Sequence, residues 1–442
     1  MSPAAQSVSI RMYDVGFGDS FLLTFPAPDR PRRVLIDCGV HPAGPPEARP
    51  FKEVVAQILA DLKDGAEAHV DLVVCSHRHR DHVVGFENEG WSNVRVSQVW
   101  MPWTEDPSDP EARRIRQAQG KKAAALARAL ALSGAGDDDT QRAREIVENN
   151  LTNAKAMAML HGGFAGRPPA RFLPESPAAG QPLLPQSFET PLLPGVKVHV
   201  LGPGRDRDTI RDMDPPQGES FLRAAAANGS TGAAPLDSRW AVSARGAEFR
   251  AWFKKTEEAA DGIPFDPSQP LLRSDPAFLL KWFKSLELSL RDVSKVDHFA
   301  TDSPLAAAVA LEQAVNGTSL MLMFEIGRAI LLFPGDAQWG TWDNALKTSR
   351  PLLERTNFLK VGHHGSHNAS PKTFVEGVLG TDFKAMVSTR PTKLYKQIPR
   401  LPLLEALEEK QAVPALARSD AQAVPSSFRR ISDICVEATV AI

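Results

Sequence analysis

Apolar residues recur at every second position in SVSIRMYDV (7–15). They form short unbroken runs in SFLLTF (20–25), RRVLIDCG (32–39), DLVVCSH (71–77) and SQVWMP (97–102). Period-two alternation and brief apolar runs bounded by turn residues predict strands, and FKEVVAQILADLKD (51–64) carries the 3.6-residue spacing of a helix. The first hundred residues therefore predict hairpin strands leading into a βαβ arrangement. The pattern then changes. QAQGKKAAALARALALSGAG (117–136) and AREIVENNLTNAKAMAML (143–160) are alanine-rich and helical by propensity. Proline-rich stretches such as GRPPARFLPESPAAGQPLLPQSFETPLLPG (166–195) read as linkers. One strand, VKVHVLGP (196–203), interrupts this section, and a helical and loop-rich stretch follows from about 205 to 313. Strand patterning returns in GTSLMLMFEIG (317–327), RAILLFPGD (328–336), TNFLKVGHH (356–364), FKAMVSTR (383–390) and DICVEATVAI (433–442). The expectation is an α/β fold in which two β-rich halves, 1–103 and 316–442, flank a mainly helical insertion over 104–315 with one core strand near 196–203. Two such halves are compatible with a pseudo-symmetric sandwich.

Charge and cysteine content narrow the class without choosing a function. Lys plus Arg total 51 against 53 for Asp plus Glu among 442 residues, so no net field draws the chain to nucleic acid or anionic lipid. Three scattered cysteines make neither a disulfide scaffold nor a thiolate zinc module, which predicts a cytoplasmic chain. The first residues lack a signal-peptide layout, and the most apolar stretch, SLMLMFEIGRAILLF, is broken by Glu325 and Arg328, so no membrane span is expected.

Candidate chemistry concentrates in CSHRHRDHVVG (75–85). His77 falls at the end of a predicted buried strand, where α/β folds gather functional groups. His77 and His79 lie two apart and project to one side of an extended segment; Asp81 and His82 turn elsewhere as a helix begins, so one loop can feed two ions. A solvated basic loop is the plain alternative for HRHR. Against it, Asp336 follows an apolar strand and a Pro-Gly turn, and His363, His364 and His367 follow another strand, so six of the eleven histidines sit in two strand-end loops.

HRHRDH has the H-x-H-x-D-H form of the metallo-β-lactamase superfamily. PGD followed by GHHGS resembles the branch containing the nuclease-like domain of the ComEC competence proteins and a bacterial phosphorylcholine esterase. DVGFGDS (14–20), VLIDCG (34–39) and NGTSLMLMF (316–324) sit where that branch has its opening hairpin, second strand and the strand before Gly-Asp. The resemblance covers roughly residues 7–103 and 316–390. It implies an αββα sandwich and two divalent ions, zinc or manganese. One ion would be held by His77, His79 and a third ligand, the other by Asp81, His82 and either His363 or His364, with Asp336 bridging. Two departures stand out: Val84-Gly85 replaces the double glycine that commonly follows the motif, and no segment supplies the usual mid-chain histidine. His161 at a helix end and His199 in a strand are the histidine candidates for that ligand, with His161 better placed to bend toward a metal; a solvent molecule or an aspartate could fill the position instead.

Resemblance and chemistry together predict a dinuclear hydrolase whose catalytic groups are Asp81, Asp336, His363 and His367. The spare histidine of the His363/His364 pair, with Ser366 or His367, would serve the leaving oxygen. Asp14, Gly16, Gly18 and Asp37 are expected to be scaffold, with a carboxylate orienting a histidine ring. A phosphoester, most readily a phosphodiester and at the limit nucleic acid, is the expected substrate. That branch is tied to phosphoesters, and Lys372, Lys384, Arg390, Lys393, Lys396 and Arg400 follow the His pair; Ser366, Arg390 and Lys393 are the expected substrate contacts. Hydrolysis of a thioester, lactam or lactone, or a non-catalytic binding role, are the competing readings. The insertion is expected to cover the mouth of the site.

Overall fold

The computed structural model describes residues 6–44, 49–65, 67–132, 137–177, 183–206, 209–210, 212–213, 215–216, 218–221, 304–368, 370–392, 395–413, 415–421 and 423–442. The fold is mixed α/β with two sheets. The first contains β1 (Ser7–Tyr13), β2 (Phe21–Phe25), β3 (Arg32–Ile36), β4 (Lys63–Asp64), β5 (Glu67–Val74), β6 (Arg95–Pro102) and β7 (Ala170–Leu173). The second contains β8 (Gln186–Glu189), β9 (Lys197–Gly202), β10 (Met321–Ile326), β11 (Ala329–Phe333), β12 (Phe358–Lys360), β13 (Lys384–Val387) and β14 (Leu416–Arg418). The chain then returns to the first sheet with β15 (Phe428–Ser432) and β16 (Cys435–Ala441). Strand order is β15-β16-β1-β2-β3-β5-β6-β7, with β4 on β5, and β14-β13-β12-β11-β10-β9-β8. Each sheet changes from antiparallel to parallel pairing part-way across: β3, β5, β6 and β7 run parallel, and so do β11 to β14.

Alternation along the strands decides what each face meets. In β2, Phe21, Leu23 and Phe25 join the same apolar cluster as Val198, Leu322, Phe324 and Phe333 of the second sheet, whereas Leu22 turns to the other side. The apolar core therefore draws side chains from both sheets. The opposite face of the first sheet buries Leu35, Val70 and Val73 with Val54, Val55 and Ile58 of helix α1 (Phe51–Asp61). With both faces covered, β3 and β5 need continuous apolar runs, and this is why VLI and DLVV read as they do.

Two strands of the 104–315 section escape the sequence pattern. Beside the expected β9, the structure contains β7 and β8, which fall in the proline-rich stretch read as linker. Each has four residues and lies at the edge of its sheet. A short edge strand tolerates flanking prolines, so its sequence carries little strand signature. The expected helices do form: α2 is the short Arg80–Val83 turn, α3 spans Pro110–Leu132, α4 Asp138–Leu151 and α5 Ala154–Ala158. Helix α6 (Pro304–Asn316) packs back on them, with Leu126, Ile146, Val147, Leu305 and Ala308 sharing one cluster. The insertion between 222 and 303 lies outside the described residues. No helix among the described residues is long and apolar enough to cross a membrane.

The topology brings five strand ends together. Asp37 follows β3, Ser76 to His82 follow β5, Asp336 follows β11, His363 and His364 follow β12, and Ser388 follows β13. All five strands lie in the parallel parts of the sheets, so their C-terminal ends converge on one rim. Gly39 admits the β5 loop at this rim, because a Cβ there would run into the Asp81–His82 backbone.

Candidate metal centre

Four histidines and four carboxylates are buried at this rim: His77, His79, His82 and His364 with Asp19, Asp37, Asp81 and Asp336, none more than 4% exposed. The ligand atoms of His77, His79 and Asp81 lie within 4.8 Å of one another, as do those of Asp81, His82 and His364, of His77, His82 and Asp336, and of Asp19, Asp37 and His82. Asp81 belongs to two of these sets. Asp336 joins one residue from each expected ion site, as a bridging position requires.

Each ring is held by its outer nitrogen. His79 Nε2 donates to Asn150 Oδ1 at 3.0 Å, and Asn150 Nδ2 donates to Ile146 O at 2.8 Å, which fixes the amide. His364 Nδ1 donates to Ser388 O at 3.1 Å. His82 Nδ1 donates to Asp37 Oδ2 at 2.8 Å. Ser76 gives its hydroxyl proton to Asp37 at 2.6 Å, so its oxygen is left to accept from His77 Nδ1 at 3.2 Å. The inner nitrogens then point at one another and at the carboxylates. His77 Nε2 lies 2.9 Å from His79 Nδ1, His82 Nε2 lies 3.2 Å from Asp336 Oδ2, and His364 Nε2 lies 3.2 Å from Asp81 Oδ2. Two imidazole lone pairs that close repel unless a proton or a cation lies between them. Orienting partners of this kind are what ligating histidines require. The residues present therefore fit two adjacent divalent cations.

Electrostatics divide the four rings into two pairs. Burial, reinforced by neighbouring histidines, holds His77 well below the ordinary imidazole pKa, and burial likewise brings His79 down to about 4. Burial also opposes charge on His82, but Asp336, Asp81 and Asp37 outweigh it and raise its pKa well above normal. For His364 burial is overcome by Asp19, Asp81 and Asp336, and the pKa is pushed up to about 10. Asp81 and Asp336 are held well below the usual carboxylate range: burial works against ionisation, and the cationic His82 and other histidines overcome it. Lys360 ion-pairs with Asp19 and lies 3.6 Å from Asp336. Burial opposes its charge as well, yet those two acids keep its pKa raised.

The other expected residues separate. Of the adjacent pair, His364 faces Asp81 and His363 does not. His363 Nδ1 bonds Ser366 Oγ at 2.9 Å, its Nε2 stands 4.0 Å from Asp336 Oδ2, and its ring is part-exposed at the edge of the cluster. Ser366 is buried and donates to Asn368 Oδ1 at 2.7 Å, and Asn368 continues to Gln338 at 2.8 Å. Its hydroxyl thus orients His363. His367 is half-buried, and its carbonyl accepts from Phe221 N at 3.3 Å. Neither His161 nor His367 enters a ligand set among the described residues. His161 is exposed and tilts over Phe172, 5.9 Å between centroids. His199 bridges Ser187 and Glu325 across β8, β9 and β10 at 2.8 and 2.9 Å, a cross-strand polar ladder away from the rim. Arg390 is ion-paired with Asp14, and Lys393 lies outside the described residues.

Sequence reasoning passed over Asp19, Lys360, Asn149 and Asn150. Asn149 accepts from Asp81 N and donates to Asp81 Oδ1, both at 3.1 Å, so α4 of the insertion is bonded to the Ser76–His82 loop. Asp19 and Lys360 stand inside the quoted DVGFGDS and TNFLKVGHH segments. An acid and a lysine held apart in sequence and both beside the conspicuous Gly/Asp and His motifs were the available signal.

Removing the orienting groups should weaken metal binding while sparing the ligands. Asp37→Asn and Asn150→Ala are each expected to lower metal affinity by roughly 10–100-fold, measured by competition with a chromogenic chelator; unchanged affinity in both would refute the orienting role. The metal-stripped protein should also lose stability as pH rises. A proton on His364 that is bound with a folded pKa of about 10 against 6.5 stabilises fully below pH 6.5 and stops doing so as the pH passes 10. Thermal melts of chelator-treated protein should fall across that window, and metal-loaded protein should not follow the same curve.

No protein-family model and no curated protein matches this chain, so the chemistry of the centre rests on its own residues.

Proposed function

We propose that the chain is a dinuclear metal-dependent phosphoesterase, most readily a phosphodiesterase, on a metallo-β-lactamase-like αββα sandwich. The observation that carries this reading is the set of inner nitrogens of His77, His79, His82 and His364, held by tethered rings around the shared carboxylates Asp81 and Asp336. Two sheets that share one core and helices on an outer face are consistent with that architecture.

His77, His79 and Asp81 would hold one cation and Asp81, His82 and His364 the other, with Asp336 between them. A divalent cation held there, zinc or manganese, would supply positive charge that favours ionisation of water near neutral pH and stabilises negative charge on phosphoryl oxygens. Asp37 keeps His82 in the tautomer that turns Nε2 inward, and Asn150 does the same for His79. His363, whose Nδ1–H is held by Ser366 Oγ and whose Nε2 lies outside the ligand sets, would act first as a base, taking a proton from the attacking water, and would then pass that proton to the leaving oxygen. Asn149 fixes the direction of Asp81, and Lys360 neutralises Asp19 beneath the cluster.

A polymeric substrate has less support than a small phosphodiester. Arg390 is paired with Asp14, and Lys384 donates to the Thr439 carbonyl at 2.8 Å, so two cations of the basic stretch are engaged within the fold.

Bis-p-nitrophenyl phosphate, a chromogenic lactam and an aryl thioester, each offered with Mn²⁺ or Zn²⁺, separate the reaction classes. Turnover of the phosphodiester is expected, with a loss of at least about 100-fold in His79→Ala. Turnover of the lactam or thioester without any phosphoester would overturn the proposal.

A further inference from the structure

A cavity of about 550 Å³ lies beside the metal-bearing loop, between the insertion helices α3, α4 and α5 and that loop. Its charged lining is unequal. Arg78, Arg113 and Arg116 face it against the single acid Glu105, over a floor that includes Leu151 and Met157. Arg78 stands between His77 and His79 in the sequence, and its side chain is only 14% exposed; its ion pair to Glu105 is long, at 3.9 Å. Glu105 is itself 3% exposed, and its charge acts on Arg116 as well as on Arg78. Arg116 donates to the Thr104 and Asp106 carbonyls, which hold it in place without neutralising it, and burial lowers its pKa. Arg113 likewise spends donors on Pro107 O and Ser108 O at 2.9 and 3.2 Å.

Two largely buried cations, with the exposed Arg113 beside them, around one acid in a cavity with apolar lining suit an organic oxyanion. Guanidinium forks bind phosphate or carboxylate oxygens in pairs, and Leu151 and Met157 suit the body that carries them. The volume falls within the range of small-molecule sites and corresponds to a nucleotide-sized molecule rather than a polymer track. The cavity borders the His/Asp cluster, because Asn150 lines it and also accepts from His79 Nε2.

We infer that this cavity binds an anionic group, phosphate or carboxylate, on the non-reacting end of a small substrate, with Arg78 and Arg116 as the recognition residues. Naming the occupant as substrate rests on the hydrolase reading; the affinity of the cavity for an anion does not.

Calorimetric titration of the full chain, as purified, tests this with three ligands that share one aromatic body. These are 1-naphthylmethylphosphonate, whose carbon–phosphorus bond resists hydrolysis, 1-naphthoate and neutral 1-naphthalenemethanol. At least one anion should bind about tenfold or more tightly than the alcohol, and the tighter of the two identifies the group the cavity prefers. Arg116→Gln should remove most of that advantage. Ala158→Trp, which fills the cavity from an exposed lining position, should do the same without touching an arginine. His79→Ala should retain the binding. Equal binding of anions and alcohol would overturn the inference, as would anion binding that survives both cavity variants or that disappears in His79→Ala while they keep it. Since heat of binding is read and not turnover, failure of the hydrolase reading would leave these outcomes unchanged.

Discussion

Four carboxylates buried at one rim set the conditions for everything around them. An ionised carboxylate out of water costs on the order of several kcal/mol unless it is paired and hydrogen-bonded. Asp19, Asp37, Asp81 and Asp336 are all buried, and Lys360 is the one buried lysine or arginine in contact with them among the described residues. The remaining charge must come from histidines or from metal. His82 and His364 are held in their cationic forms by these acids, while His77 and His79 stay neutral. The protons on His82 and His364 therefore compensate charge that bound cations would otherwise compensate. This links metal binding to proton release.

The same pairing joins the two halves of the chain. His82 to Asp336, His364 to Asp81, and Lys360 to Asp19 each cross from one sheet's strand ends to the other's. Backbone bonds reinforce them, as Leu320 N donates to Ser76 O at 2.7 Å and Ser388 Oγ to Gly18 O at 2.6 Å. Local strain accompanies this convergence. Asp37, His363 and His364 all adopt positive φ, at 58°, 44° and 53°, in the left-handed region that non-glycine residues seldom enter. Those turns separate two adjacent histidines, sending His364 inward and leaving His363 at the edge.

Much of this was legible in the amino-acid order. The strand ends that carry Asp37, His77, Asp336 and His364 follow long apolar runs, because strands covered on both faces must be apolar throughout. The H-x-H-x-D-H cluster and the later His pair marked the centre. Three kinds of information were not local. Strands β7 and β8 are short edge strands among prolines, and their pairing depends on partners far away. Asn149 and Asn150 look like exposed helix residues until α4 packs on the Ser76–His82 loop. The choice between His363 and His364 is a matter of backbone angle, and neighbouring residues of the same type carry no sign of it. His161, favoured for its helix-end position, stands exposed over Phe172 outside every ligand set among the described residues.

A rim that holds two cations should keep them through purification. Metal content of chain purified without chelator, measured by inductively coupled plasma mass spectrometry against protein concentration, tests it most directly. Close to two equivalents per chain are expected, with a larger loss in Asp336→Ala than in His69→Ala, whose ring lies on β5 near Ser97 and away from the rim. A content below one equivalent, with every ligand intact, would contradict it.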